Sequence, residues 1–474
     1  MSSVDVVSTR GENATIGEAA MEELAGGLRG TLLRPGAEGY EEARQVWNAM
    51  IDRRPALIVR CAGVADVIRS VRFAGERGIQ LAIRGAGHNI AGHAVCEGGL
   101  VIDLSRMRSV RIDVEGRRAH VEPGATLGDL DHEAQAFGLA TPVGINSTTG
   151  ISGLTLGGGF GWLSRKHGMT VDNLVAADLV TADGKLVTAS ADSEPDLFWA
   201  IRGGGGNFGV VTRFELQLHP VGPEVLCGLV VYPLEQGKQV LSRYRELTEK
   251  LPDETSVWAV MRQAPPLPFL PEEVHGKGVV VFAFLHAGDP KAGQRTVDAV
   301  RGFGKPYGEH VGVMPYAAFQ QAFDPLLTPG ARNYWKSHNF AALSDEALEI
   351  MLEYAGTLPS PQCEIFVALL GGADSRVAPD ATAYAHRDTR FVLNVHGRWS
   401  DAADDARCVS WAREFFERTA PHATGGAYVN FLTEDETRRT RAVYGPGYER
   451  LARIKKRYDP TNLFSRNQNI APAD

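Results

Sequence analysis

The chain has no cysteine pair. Its five cysteines, Cys61, Cys96, Cys227, Cys363 and Cys408, lie far apart and form no CxxC. That argues against a disulfide framework and against a zinc site, so no metal is expected. Positive charge is not in excess either: 49 Lys and Arg face 57 Asp and Glu, for a formal net charge of −8. A nucleic-acid partner needs clustered cations and is not expected. No window of about 18 apolar residues exists for a membrane span. The opening MSSVDVVSTRGENATIGEAA lacks a basic stretch followed by an apolar one, so it does not read as a signal peptide. The expectation is a cytoplasmic protein with no membrane partner. Nothing in the sequence fixes the oligomeric state.

What is there is ordinary globular composition, 44% hydrophobic and 22% charged over 474 residues, enough for two or more domains. Residues 1–25 read as polar and poorly ordered. From Tyr40 to Pro55 the pattern suggests a helix. VADVIRSVRFAGERG places Val64, Val67, Ile68 and Val71 at helical spacing and stops at Gly78. LVIDLSRM reads as a buried strand, and VRIDVEGRRAHV and LVAADLVTADGKLVTAS read as hairpins. The segment 26–220 is therefore α+β with many short strands, without steady βαβ alternation. From 221 to 420 longer strands appear (CGLVVYPL, KGVVVFAFLH, CEIFVALLGG, RFVLNVHGRW) between helical stretches such as DEALEIMLEYAG and DARCVSWAREFFERT. They suggest a second α+β domain, an antiparallel sheet with helices on one face. Residues 421–474 end in a helix and an Asn-rich loop.

Three glycine-rich segments fall in the first half. RGGGGNFG contains GxGxxG at Gly204, Gly206 and Gly209, but a helix-like stretch precedes it and a strand pattern follows. That order is the reverse of a Rossmann fingerprint, leaving a tight turn or a loop against some other cofactor. The second segment holds Gly157, Gly158, Gly159 and Gly161 within five residues and lacks the GK[ST] of a P-loop. The third, RGAGHN, places His88 in a supple loop, as a ligand, a base, an attachment point or a turn residue.

In order and spacing, RGAGHN, TPVGINSTTGISGLTLGGGFGWLSRKHGMTVDN, DLFWAIRGGGGNFGVVT and YERLARIKKRYDPTNLFSRNQNI resemble the FAD-linked oxidases of the berberine bridge enzyme group, within the vanillyl-alcohol oxidase superfamily. The resemblance implies a two-part PCMH-type FAD-binding domain, made of 26–220 and 421–474, around a substrate-binding domain at 221–420. It implies a flavin joined through the 8α carbon to His88, in a loop where Arg84, Gly85, Ala86, Gly87 and Asn89 approach the pyrophosphate; Ala86 stands where glycine is common. A second tether, a cysteine in many members, maps to Asn146, so no cysteinyl link is expected. Further flavin contacts implied are His93, Val143, Gly144, Thr148, Thr149, Gly153, Leu154, Gly158, Gly159, Gly161, Val210, Val211, Asn430, Asn467 and Asn469. Trp162 is a stacking candidate, with core packing as its competing role.

The implied chemistry is hydride transfer from an alcohol carbon of a small-molecule substrate to FAD, with dioxygen restoring the flavin and yielding hydrogen peroxide. Tyr428, in a Y-x-N context, is the candidate base, against a role as a buried, hydrogen-bonded tyrosine. Period-two reading of RFVLNVHGRW puts Asn394 and His396 on one face. Asn394 stands where relatives carry Glu or Gln and cannot be a base; His396 titrates near neutral pH, though a bonded strand histidine is the competing role. An amine substrate, with Glu364 as its carboxylate, is the alternative, as are a dehydrogenase that reacts poorly with dioxygen and a flavin-binding protein without turnover.

Overall fold

The structure, a computed structural model, describes residues 3–474. A seven-stranded sheet, antiparallel throughout, organises the second half. Its order is Gly308–Pro315, Glu224–Pro233, Gly278–His286, Thr255–Gln263, Glu364–Leu369, Phe391–Trp399 and Arg332–Phe340. Four helices, Gly237–Thr248, Pro290–Arg301, Asp345–Ala355 and Asp405–Thr419, pack on one face. Side chains alternate along each strand, so Ile365, Val367, Leu393 and Val395 join the helix-side core. The opposite face carries Glu364, Phe366, Asn394, His396 and Trp335 towards the first half of the chain.

That first half contains two smaller sheets. The four-stranded one runs Thr31–Leu33, Leu57–Arg60, Leu100–Asp103, Leu81–Arg84, with the last three parallel. The five-stranded one is antiparallel and contains both expected hairpins. Helix Val64–Arg77 buries Val67, Val71, Phe73 and Ala74, and Gly78 ends it at φ 60°, a conformation open to glycine. The tail returns here: helix Tyr448–Tyr458 buries Lys455, which donates to Asp459 Oδ2 at 2.6 Å, to Asn207 O at 2.7 Å and to Phe464 O at 3.0 Å.

Two expectations change. Residues expected to be poorly ordered form a hairpin, Ser3–Val7 with Asn13–Gly17, and the helix Glu18–Gly26, with Val6, Ile16, Met21 and Leu24 buried; residues 1 and 2 lie outside the described residues. The helix expected from Tyr40 to Pro55 spans only Tyr40–Arg44. Tertiary bonding overrides the local pattern beyond it. Buried Asn48 donates to Ile90 O and Asn333 O, both at 3.0 Å, and accepts from Asn333 N at 2.9 Å. It thereby ties the glycine loop to the large sheet. Among the described residues no helix is long and apolar enough to cross a membrane.

Candidate active site

A cavity of about 340 Å³ lies between the glycine-rich segments and the bare face of the large sheet. On one side, strand Leu81–Arg84 delivers the loop 85–89. Gly87 has φ +77°, and its carbonyl accepts from Trp47 N at 3.1 Å. The backbone N–H groups of Ala86, Gly87, His88 and Asn89 donate to no protein acceptor among the described residues. Gly150 lets the next segment lie against this loop, since a Cβ there would come within 2.9 Å of Ala86 Cβ. Gly153 and Gly206 sit on the cavity wall with nothing within 4 Å of where a Cβ would be.

The wall takes in Gly85, Ala86, Gly87, His88, Asn89, His93, Gly144, Thr149, Gly153, Leu154, Val210, Val211, Asn430 and Asn467 among the predicted cofactor residues, together with Asn394, His396 and Tyr428. Others stand one layer back. Arg84 turns its guanidinium to Ala43 O. Gly161 packs against Val143, whose carbonyl oxygen would lie 1.8 Å from a Cβ, and Gly159 packs on Thr170. Gly158 lies under Met169 and Tyr384. The triple glycine is thus a device for close packing. Trp162 stacks on Trp258 at 4.2 Å, in the core, and Asn469 is off the wall with a buried, unpartnered Oδ1. Thr148 is off the wall but reaches it through His88.

His88 is fixed from two sides. Its Nε2 is 3.0 Å from Thr148 Oγ1, and its ring stacks on Trp47 with centroids 5.2 Å apart. Nδ1 has no partner among the described residues. The ring is half-open to the cavity yet enclosed by protein, and this desolvation pulls its pKa down to about 4, against the opposing pull of the Thr148 backbone. His93 is more deeply buried, with both ring nitrogens unpartnered. Burial, then Arg466 and Arg53, lower its pKa to about 3.

Tyr428 OH accepts from Gly159 N and from Asn430 Nδ2, both at 2.9 Å. The rings of Phe160 and Phe431 meet it edge-on, at 4.8 and 4.9 Å. Burial pushes its pKa up to about 12, although both donors favour the phenolate. Across the cavity, His396 Nδ1 is 3.0 Å from Glu364 Oε1, and Arg262 Nη1 donates to Glu364 Oε2 at 2.7 Å.

Sequence reading missed most of the aromatic wall: Trp47, Phe160, Trp258, Trp335, Phe366 and Phe431. None carries a local signal, because each reaches the cavity from a different element. Arg466 and Gln468 of the tail were also missed; the Asn-rich composition of that loop was the available hint.

Successive backbone N–H groups without protein acceptors are suited to holding an anion. Buried polar atoms without partners cluster beside them, at Arg466 Nε, Asn467 Oδ1 and Gln468 Nε2, and such groups call for a ligand or water. A phosphate-bearing cofactor with a polar ring fits this lining. The family model described as FAD binding domain matches residues 55–190, and the model described as Berberine and berberine like matches residues 427–471. (R)-6-hydroxynicotine oxidase of Paenarthrobacter nicotinovorans is 32% identical, over 94% of this chain and 97% of its own. The chain belongs to the berberine bridge enzyme-like family of FAD-linked oxidoreductases. A xylooligosaccharide oxidase of Thermothelomyces thermophilus is 30% identical over 90% of this chain and 89% of its own. The crystal structure of 6-hydroxy-D-nicotine oxidase from Arthrobacter nicotinovorans superimposes with a TM-score of 0.83, at 30% identity, over 94% of this chain and 98% of that one. This family member is an FAD-dependent oxidoreductase, and its α+β architecture is that of the family.

Proposed function

We propose that the protein oxidises a hydroxyl-bearing carbon of a small molecule, with FAD tethered through His88. The pyrophosphate is held by the N–H groups of 86–89, and Gly153, Val210, Val211, Asn430 and Asn467 line the rest of the cofactor site. Nδ1 is the bonding nitrogen of His88, because Nε2 is taken by Thr148. Asn146 offers no thiol, so the link is single. FAD, when bound, accepts the hydride, and dioxygen restores it with release of hydrogen peroxide.

The observation that carries this reading is one cavity shared by the glycine cradle and by the polar groups of Asn394, His396 and Tyr428. A substrate placed between them lies against the cofactor on one side and proton-handling groups on the other. The Tyr428 oxygen already accepts two hydrogen bonds, so its own proton points elsewhere, suited to donation to a substrate oxygen. The aromatic wall excludes water.

Amine oxidation is the second reading, supported by the likeness to the hydroxynicotine oxidase. Against it, the Glu364 carboxylate that would face a cationic amine is already paired with Arg262 and His396. The test is a peroxide-release screen of purified protein with alcohols, sugars and cyclic amines, next to acid precipitation of the yellow protein. Turnover of alcohols with flavin retained in the pellet supports the proposal; turnover of amines alone overturns the alcohol reading.

A further inference from the structure

Four strands of the large sheet place four side chains in one row across it. The register sets Arg262 opposite Glu364, Glu364 opposite His396, and His396 opposite Trp335. Directly opposed residues share a face and touch. The row is joined from end to end. Arg262 Nη1 donates to Glu364 Oε2 at 2.7 Å, Glu364 Oε1 lies 3.0 Å from His396 Nδ1, and the Trp335 ring meets the imidazole edge-on at 4.6 Å. Glu364, His396 and Trp335 line the cavity; Arg262 stands behind them.

This arrangement fixes the tautomer of His396. Burial raises the Glu364 pKa, but Arg262 and the His396 bond outweigh it and hold the group near about 2. An ionised carboxylate only accepts, so Nδ1 carries the proton and Nε2 the lone pair. Nε2 is buried and without a partner among the described residues, as is the neighbouring Asn394 Oδ1. The charged groups facing the ring are Glu364, Arg262 and Arg398; Tyr428, His88, His93 and Arg466 are titratable groups elsewhere on the cavity wall. Burial, with the two arginines, lowers the His396 pKa against the pull of Glu364, so the resting ring is neutral.

Hydride transfer from an alcohol leaves a hydroxyl proton to be placed. Tyr428 can give a proton but, held near 12, is a poor resting acceptor. We propose that His396 is the general base of the reaction, with Glu364 and Arg262 as its positioning pair; this rests on the alcohol-oxidising reading above. In the step, Nε2 takes the hydroxyl proton and the O–H pair becomes the second C–O bond. The C–H pair leaves as hydride to the flavin, giving a carbonyl product and a two-electron-reduced cofactor. Glu364 then faces an imidazolium and stabilises it. Oxidation thus draws on an orienting carboxylate built into the sheet's register.

4-Nitrophenol tests this in the FAD-loaded enzyme without a known substrate: it is a flat hydroxyl compound whose phenolate absorbs to the red. Bound to wild type, it should ionise about one pH unit above the free dye, a tenfold change in its acid constant, because Nε2 accepts from its O–H and has no proton to offer the phenolate. His396→Gln should abolish that shift with flavin retained, Glu364→Gln should reduce it, and Tyr428→Phe should keep it. Persistence of the shift in His396→Gln, or its loss in Tyr428→Phe alone, overturns the proposal. Nitrogen-15 NMR of histidine-labelled holoprotein gives an independent reading. The resonance missing from His396→Gln should report Nδ1–H, and Nε2–H there also overturns the proposal. Protein purified without flavin would instead count against the functional reading, and it is detected separately by absorbance.

Discussion

The indole of Trp47 lies over the imidazole of His88, with ring centroids 5.2 Å apart and planes 21° apart. The Arg398 guanidinium covers the same indole from 5.1 Å, and Trp335 meets it edge-on at 5.6 Å. Trp47 thus clamps the proposed tether between the glycine loop and the large sheet, at a point where the chain has just left its helix.

The first prediction concerns that clamp. His88→Ala should bind FAD reversibly and release all of it on acid precipitation. Trp47→Ala should retain some acid-stable flavin, because Thr148 still holds Nε2. An aromatic pair of this geometry contributes about 0.5–1.5 kcal/mol, so the covalent fraction formed in a fixed time should fall by roughly 2- to 10-fold. Pellet-to-supernatant flavin ratios measure it. Equal ratios in wild type and Trp47→Ala would remove Trp47 from the account.

Tyr428→Phe separates chemistry from folding. The change leaves Gly159 N and Asn430 Nδ2 without their shared acceptor, at a cost of about 1–3 kcal/mol. If the hydroxyl bonds the substrate oxygen during proton transfer, the anaerobic rate of flavin bleaching should drop roughly 100-fold or more. Thermal melting reads the first effect and stopped-flow absorbance the second. A lower melting temperature with an unchanged bleaching rate would make Tyr428 purely structural.

Much of this was legible in the sequence where the signal is local. The helix ending at Gly78 and the hairpins announce themselves by spacing. The glycines of RGAGHN imply a backbone that comes close to a ligand, and period-two reading put Asn394 and His396 on one face. What was not legible depends on register between distant strands. Arg262, Glu364, His396 and Trp335 are separated by up to 134 residues (396 − 262) and become neighbours only through strand pairing. In the triple glycine, too, glycine marks close approach, but which groups approach is set by the fold: Asn430 at Gly157, Met169 and Tyr384 at Gly158, and Thr170 at Gly159.

Lys455→Met tests how the tail is held. Lys455 and Asp459 are both fully buried, and Lys455 also bridges Asn207 O to Phe464 O. Removing the cation leaves Asp459 charged and enclosed, a change that costs about 3–5 kcal/mol. The urea midpoint should fall accordingly. FAD retention on dialysis should fall too in a His88→Ala background, because Arg466, Asn467 and Gln468 follow directly from this anchor and line the cavity. Loss of stability with unchanged retention would detach the tail from cofactor binding.

Acid should weaken the fold well above the carboxylate range. His338 stacks on Phe416 with planes 2° apart, its Nε2 is 2.9 Å from Phe416 O, and Nδ1 is buried without a partner. Burial lowers its pKa to about 4, with Arg439 adding to the effect against the Phe416 bond. An unfolded histidine titrates near 6.5. Below that value the unfolded chain gains a proton that the native ring refuses, so stability falls as pH drops from 6.5 and the loss is complete near 4. The fall from 6.5 to about 4 corresponds to on the order of 3 kcal/mol, of which about 1.4 kcal/mol is gone by pH 5.5. His338→Phe keeps a flat ring against Phe416 and removes the proton. It should lower stability at pH 7.5, where the Nε2 bond is lost, and flatten the slope of urea-unfolding free energy between pH 7 and 5. An unchanged slope would place the acid sensitivity elsewhere, with His93 the next candidate because burial and Arg466 hold it lower still.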